Sequence, residues 1–296
     1  MTDFVATLIA RPENAAELTA SGRAIAGIID DAQVTILAER EALDVVFSAP
    51  ETLADIRATL ARFVADAPID IVVQPAAGRK KRLLIADMDS TIIGQECIDE
   101  LADFAGLKAK VAAITERAMR GEIDFAPALR ERVALLAGLP AATIDKVMAE
   151  RIRLNPGAKA LVWTMRANGA RTILVSGGFD VFAEKIAAMA GFDESRANRL
   201  LVAGGKLTGN VAEPILGKTD KLATLEDAII RLGIDGAATL AVGDGANDLS
   251  MIERAGLGVA YHAKPKVAAA AAARIDHGDL TALLYAQGYA RAAFVE

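Results

Sequence analysis

The sequence predicts an α/β protein in two parts: a parallel-sheet core interrupted by a helical insertion, with a smaller α+β unit ahead of it. Leu83-Leu84-Ile85-Ala86, Thr172-Ile173-Leu174-Val175 and Thr239-Leu240-Ala241-Val242 are near-continuous apolar strands, as a sheet covered by helices on both faces requires. They alternate with helical patterns, the mark of parallel βαβ units. Residues 1–77 instead read as β-α-β-β-α-β, a split βαβ arrangement.

In chain order, Phe4 to Ala10 reads as a strand, and Pro12 sits where proline favours a first helical turn. Leu18, Ile25, Ile28 and Ile29 recur at helical spacing, and Val34 to Ala38 and Leu43 to Phe47 read as short strands. Ser48 and Pro50 open a second helix whose Leu53, Ile56, Leu60, Phe63 and Val64 share a face. Ile69 to Val73 closes this unit. Gln74 to Gly78 reads as a linker, and the basic run Arg79-Lys80-Lys81-Arg82 as its solvated continuation. The core then spans residues 78–94 and 155–296. Residues 95–154 are helical throughout and too long for a plain crossover, so they are expected to form a cap. Leu200 to Val211, with Gly204-Gly205 inside, reads as a hairpin, and Val267 to Ala273 as a short helix.

Composition bounds the chemistry. Hydrophobic residues make up 53% of the 296 positions and charged residues 24%, enough for a sizeable core and too apolar for wholesale disorder. Lys and Arg number 33 against 39 Asp and Glu, a net charge of -6 that disfavours non-specific nucleic-acid binding. The lone Cys97 excludes an internal disulfide and a cysteine metal cluster, which fits a reducing compartment. Two histidines, His262 and His277, leave little room for a histidine triad or zinc centre. The first residues carry no basic segment before an apolar one, and no apolar run approaches the ~20 residues of a membrane span. A cytoplasmic protein is expected.

The residues that carry chemistry stand at strand ends, where open α/β sheets bind ligands. Asp87-Met88-Asp89-Ser90-Thr91 follows the first apolar strand, and two carboxylates at alternate loop positions repel unless a cation or proton relieves them. Val175-Ser176-Gly177-Gly178 brings a hydroxyl and unhindered backbone N–H groups, which suit an anionic oxygen. Gly217-Lys218-Thr219 supplies an ammonium near a helix start. Gly243-Asp244-Gly245-Ala246-Asn247-Asp248 adds carboxylates and an amide after a third strand. Each alone reads equally as a turn, a cap or a surface charge. Their joint occurrence at strand ends does not. In the insertion, Phe125, Leu129, Val133 and Leu136 form an apolar helix face, and Arg132 falls inside it about 20° from Phe125 at ~100° per residue. A guanidinium aimed at an apolar side calls for an anionic partner.

With these four motifs, residues 83–273 resemble the haloacid dehalogenase superfamily of aspartyl phosphotransferases. Glu96, the Glu131-Arg132-Val133 neighbourhood, Val175 to Asp180 and Gly243 to Ser250 narrow the resemblance to the members acting on phosphoserine. The first unit is similar to the ACT-type regulatory domains that some members carry. The resemblance implies Mg²⁺-dependent hydrolysis of O-phosphoserine to serine and phosphate, the last step of serine biosynthesis, through an aspartyl phosphate on Asp87. Asp89 is then the general acid and base. The metal falls to Asp87, the Asp89 backbone carbonyl, Asp244 and, through a water or a neighbour, Asp248. Ser176, Gly177 and Lys218 would bind the phosphoryl group, and Asn247 the substrate or its phosphate. Arg132 would take the substrate carboxylate, Glu96 its ammonium, and Met119 and Phe125 the pocket wall. A free amino-acid effector at the first unit and a homodimer are further expectations. Another small phosphate ester is the nearest alternative substrate. A signalling receiver module also pairs Mg²⁺ with an acceptor Asp, but it needs neither Asp89 nor a long insertion.

Overall fold

The computed structural model describes residues 2–120 and 122–296, the side chain of Met119 excepted. The chain opens with β1 (Thr2–Ala10), α1 (Ala15–Gly27), β2 (Gln33–Ala38), β3 (Ala42–Ala49), α2 (Leu53–Ala61) and β4 (Ile69–Pro75). The strands form an antiparallel sheet in the order β2-β3-β1-β4. One face buries Phe4, Leu8, Val45 and Val73 against Leu18 and Ile25 of α1 and Ile56 and Leu60 of α2. Period-2 strands and amphipathic helices thus share one apolar layer.

Two boundaries differ from expectation. Ser48 opens no helix: it pairs with Asp3 in the β1–β3 ladder, and Thr52 caps α2 by accepting the Asp55 N–H at 3.3 Å. Nor do Gln74 and Pro75 begin a linker. They finish β4, and the buried Gln74 donates through Nε2 to the Ala286 carbonyl at 2.7 Å. The basic run is likewise not a solvated linker. Arg79 pairs with the buried Asp44 at 2.7 Å, and Lys81 Nζ donates to the carbonyls of Gly78 and Ala237 at 3.1 and 2.9 Å.

The second sheet comprises β5 (Leu83–Ala86), β6 (Arg171–Phe179), β7 (Glu194–Asn198), β10 (Thr239–Gly243), β11 (Leu257–Tyr261) and β12 (Ala273–Ile275). All its pairings are parallel, in the order β12-β11-β10-β5-β6-β7. Helices α7 (Ala158–Ala167), α8 (Asp180–Ala190), α9 (Lys218–Leu232), α10 (Leu249–Arg254), α11 (Pro265–Ala270) and α12 (Ala282–Ala286) connect or follow the strands. Ala273 therefore belongs to a strand, not to the helix before it. Central β5 is buried on both faces. Its last residue, Ala86, pairs with Val242 on one side and Leu174 on the other. The turns after β5, β6 and β10 consequently emerge together at one edge.

Between β5 and α7 stand α3 (Cys97–Phe104), α4 (Lys108–Met119), α5 (Phe125–Ala134) and α6 (Ala142–Glu150). They bury Leu101, Val111, Leu129, Val133, Ile144 and Val147 in one cluster continuous with the sheet's core. The hairpin of β8 (Leu200–Ala203) and β9 (Lys206–Val211) turns on Gly204 and Gly205, both at positive φ as a two-residue connection demands. It also clasps the insertion: Gly138 N–H donates to the Leu207 carbonyl and Leu207 N–H to the Leu139 carbonyl, each at 2.9 Å. Among the described residues no helix is long and apolar enough to cross a membrane.

Candidate active site

Asp87 leaves β5 with its N–H still bonded to the Val242 carbonyl at 3.0 Å, so the sheet itself fixes the carboxylate. The chain then makes a tight turn over Met88–Ile92, with Ser90 at φ 56°, a conformation that costs a side-chain-bearing residue energy. The turn folds Asp89 back toward the same edge. Asp89 Oδ1 accepts the Cys97 N–H at 2.8 Å, and Oδ2 accepts from Ser176 Oγ at 3.2 Å. Ser176 in turn accepts the Gly178 N–H at 2.8 Å. Two sequence motifs thus meet at one carboxylate.

The third meets them through a residue the sequence reading passed over. Lys218 is exposed at the first position of α9 and does not reach the site. The ammonium that does is Lys221, one turn further in, 1% exposed, 2.6 Å from both Asp87 Oδ1 and Asp248 Oδ1. Both lysines lie on nearly the same side of α9. Only the deeper one extends over the strand ends, because helical side chains slant toward the N-terminus and the first residue points away. The available signal was the second lysine at i+3, which the Gly-Lys-Thr reading did not weigh.

Asp87, Asp244 and Asp248 each offer an oxygen within 4.8 Å of the others. Asp248 is fully buried, held by Lys221 and by the Gly245 N–H at 3.0 Å. Thr91 Oγ1 reaches Asp244 Oδ1 at 3.4 Å. Among the described residues nothing donates to Asp87 Oδ2 or Asp244 Oδ2, so two carboxylate oxygens remain for a cation. Burial pushes Asp87 well above the ordinary carboxylate range and the Asp248 charge adds to this, with Lys221 pulling the other way. Burial raises Asp89 too, against its bonds from Cys97 and Ser176. Burial and Asp248 raise Asp244. Burial alone would lower the Lys221 ammonium, but Asp87 and Asp248 outweigh it and hold it charged. One buried lysine against three carboxylates is a net anionic cluster, and an oxygen-rich, partly solvated set of this kind suits a small hard dication.

Over this floor stands α5. Phe125, 41% exposed, leans on the turn around Gly177, where a Cβ on that glycine would come within 3.0 Å of its Cζ. Arg132 lies on the inner side, with Nε on the Ala128 carbonyl at 3.3 Å and Nη1 near Thr115 Oγ1 at 3.4 Å. Among the described residues it has no salt-bridge partner, whereas neighbouring Glu131 pairs outside with Arg117 at 3.0 Å. Burial lowers the Arg132 guanidinium, and Asp99 and Glu96 pull it back. Glu96, at the entrance, accepts from Ser90 Oγ at 2.7 Å. Protein crowded about its carboxyl, with Asp89 close by, pushes it up to about 7. Asn247 lies exposed at the rim, and the Met119 side chain lies outside the described residues.

Residues 84–253, more than half of the chain, match the family model of the haloacid dehalogenase-like hydrolases. A phosphoserine phosphatase of Mycobacterium tuberculosis is 39% identical over 295 residues, covering 96% of this chain and 71% of that protein. A phosphoserine phosphatase of a Polaromonas species is 48% identical over 208 residues, 69% of this chain and 88% of the relative. Among solved structures, a hydrolase of the haloacid dehalogenase family from Salmonella enterica serovar Typhi superposes with a TM-score of 0.87 at 28% identity, over 98% of this chain and 99% of that one. A phosphoserine phosphatase solved as an analogue of its phospho-aspartyl intermediate superposes with a TM-score of 0.65 at 41% identity, over 70% of this chain and 98% of that one.

Proposed function

The chain belongs to the haloacid dehalogenase-like hydrolases, and on that footing we propose that it hydrolyses O-phosphoserine to serine and inorganic phosphate, with Mg²⁺ as cofactor. The observation that carries the reaction is the convergence of Asp87, Asp89, Ser176, Lys221 and Asp244 on one sheet edge. The Asp87 carboxylate attacks phosphorus through one oxygen, forming the aspartyl phosphate as the bond to the serine oxygen breaks. Asp89, whose carboxyl burial pushes upward, gives a proton to that oxygen, and then takes one from the water that attacks phosphorus and frees Asp87. Lys221, Ser176 and the Gly177 N–H hold the transferring group, where charge is greatest. Asp87, Asp244 and the Asp89 carbonyl would hold the magnesium, with Asp248 acting through a water or a neighbour. When bound, the ion offsets the charge of nucleophile and phosphate together.

Selectivity falls to the cap. Arg132, without a carboxylate partner among the described residues, suits a carboxylate, Glu96 an ammonium, and Phe125 closes the wall, so a zwitterionic amino acid fits between α5 and the entrance. Asn247 contacts substrate from the rim. We divide the chain into a regulatory or dimerisation unit at 1–77, of ACT-like topology, and a phosphatase unit at 78–296 with its cap at 95–154. The edge strand β2, with Val34 and Ile36 each about half exposed, supports a homodimer, and the cleft of about 780 Å³ between α2 and β3 supports a free amino-acid effector. A cytoplasmic location is in keeping with the buried, unpaired Cys97. The test is phosphate release from phosphoserine, phosphothreonine and phosphoglycolate, with and without Mg²⁺. Phosphoserine should lead by an order of magnitude or more, and a metal-independent or ester-indifferent activity would reject the reading.

A further inference from the structure

Asn198 closes β7 and is 2% exposed. Its amide makes three hydrogen bonds: Nδ2 donates to the Gly177 carbonyl at 2.8 Å and the Leu216 carbonyl at 3.1 Å, and Oδ1 accepts the Leu216 N–H at 2.7 Å. Both amide hydrogens and the oxygen are used. None of these contacts touches the reacting atoms, yet each ends on a segment that does.

The Gly177 carbonyl and the Gly178 N–H belong to one planar trans peptide and point in opposite directions. Holding the carbonyl back on Asn198 therefore aims the N–H at Ser176 Oγ, which it reaches at 2.8 Å. With a lone pair so engaged, the Ser176 hydroxyl keeps its proton for Asp89, or for a phosphoryl oxygen. On its other side the amide grips both polar groups of Leu216, the residue before Gly217. The Gly217 N–H is held by Asp220 Oδ2 at 2.8 Å, and its carbonyl accepts the Lys221 N–H at 3.3 Å. The start of α9, and with it the Lys221 ammonium, is thus registered on the same side chain that orients Ser176.

The geometry points to Asn198 as a positioning residue for phosphoryl transfer, setting the Ser176 hydroxyl and the Lys221 ammonium at a fixed separation across Asp87. The inference rests on reading the site as a phosphoryl-transfer centre. The demand is for two donors and one acceptor at this side-chain length. An aspartate would meet the Leu216 N–H but face two carbonyl oxygens with a carboxylate. A serine would span at most one of the gaps.

The test uses the full chain with Mg²⁺, comparing wild type, Asn198→Asp and Asn198→Ser on phosphoserine and on p-nitrophenyl phosphate, with inhibition by orthovanadate. Misplaced phosphoryl ligands should lower kcat on both esters by about a hundredfold. KM for phosphoserine should change less than about threefold, since the amino-acid end of the pocket is untouched. The orthovanadate inhibition constant should rise about tenfold or more, as expected for a mimic of the transferring group. KM and inhibition constants do not depend on the folded fraction, so a merely structural role would leave them unchanged. Unchanged orthovanadate inhibition in a folded variant would overturn the proposal, as would failure of both variants to fold. A wild type inactive on both esters would instead bring down the site reading, and this inference with it.

Discussion

Glu96 sits between two demands: the role proposed for it is to meet an ammonium, yet its carboxyl is pushed up to about 7 by surrounding protein and by Asp89. In the free enzyme it is therefore neutral below about 7 and charged above. Attraction for the substrate ammonium is present at higher pH and lost as pH falls through that value. kcat/KM for phosphoserine should fall on acidification through pH 7 more steeply than for p-nitrophenyl phosphate, which carries no ammonium. Glu96→Gln should weaken phosphoserine at pH 8 and remove that extra fall. Parallel profiles for the two esters in the wild type would deny Glu96 this role. The two lysines of α9 give a sharper contrast. Lys221→Met removes the cation from two buried carboxylates and should cost about a thousandfold in kcat, whereas Lys218→Met, on the exposed first turn, should stay within about twofold. Equal losses would return the role to Lys218. This distinction was hard to read in the sequence for a geometric reason. Positions three apart differ by only about 60° around a helix, so periodicity barely separates them, and what decides is how far each stands from the strand ends. The carboxylates were legible because each follows an apolar strand directly and the sheet fixes where it emerges.

At the level of elements, α5 does two jobs with one phase. Leu129 and Val133 point into the cap's core, Phe125 leans on Gly177 of the catalytic floor, and Arg132 lies within reach of the charges of Asp99 and Glu96. The apolar stripe and the misfit guanidinium were readable from 3.6-residue periodicity alone, because a charge inside an apolar face has few physical explanations. What periodicity could not show is that Phe125, nominally the first residue of the buried stripe, is 41% exposed, since the helix begins there and its first turn projects past the core. Similar end effects misplaced the start of α2 and the end of β4, where ladder pairing and a threonine cap override local composition. Arg132→Ala should raise KM for phosphoserine by about two orders of magnitude, as expected for a lost charge-assisted pair, and leave p-nitrophenyl phosphate within about threefold. A matched loss on both esters would mean that the arginine supports the cap rather than the substrate.

Across the whole molecule, the two sheets are joined by buried polar contacts, not by a flexible tether. Asp70 of β4 is 3% exposed and accepts N–H groups from Asp276 at 2.8 Å, His277 at 3.2 Å and Gly278 at 2.7 Å, just beyond β12. Gln74 reaches Ala286, Arg79 reaches back to Asp44, and Tyr285 donates to Glu41 Oε2 at 2.9 Å. The pairs of Asp70 with Asp276, Gln74 with Ala286 and Glu41 with Tyr285 lie 206, 212 and 244 residues apart, and no local pattern encodes them, which is why the run from Gln74 to Arg82 read as a solvated linker. Burial raises the Asp70 carboxyl, against the amides that surround it, so part of the stabilisation is spent on desolvating the charge. Removing the acceptor is still unfavourable, because three amides, that of Gly278 buried and the other two partly so, are left without a partner, and Asp70→Ala should cost about 2–4 kcal/mol. The single Trp163 lies on α7, far along the chain from the first sheet, and gives a local probe of the second part. In urea, circular dichroism and Trp163 fluorescence should report one coincident transition for the wild type. Asp70→Ala should shift the dichroism to lower urea, ahead of the fluorescence, as the first sheet loses its anchor while the catalytic core holds. Transitions that stay coincident at the wild-type midpoint would show that the carboxylate, for all its bonds, does not hold the two sheets together.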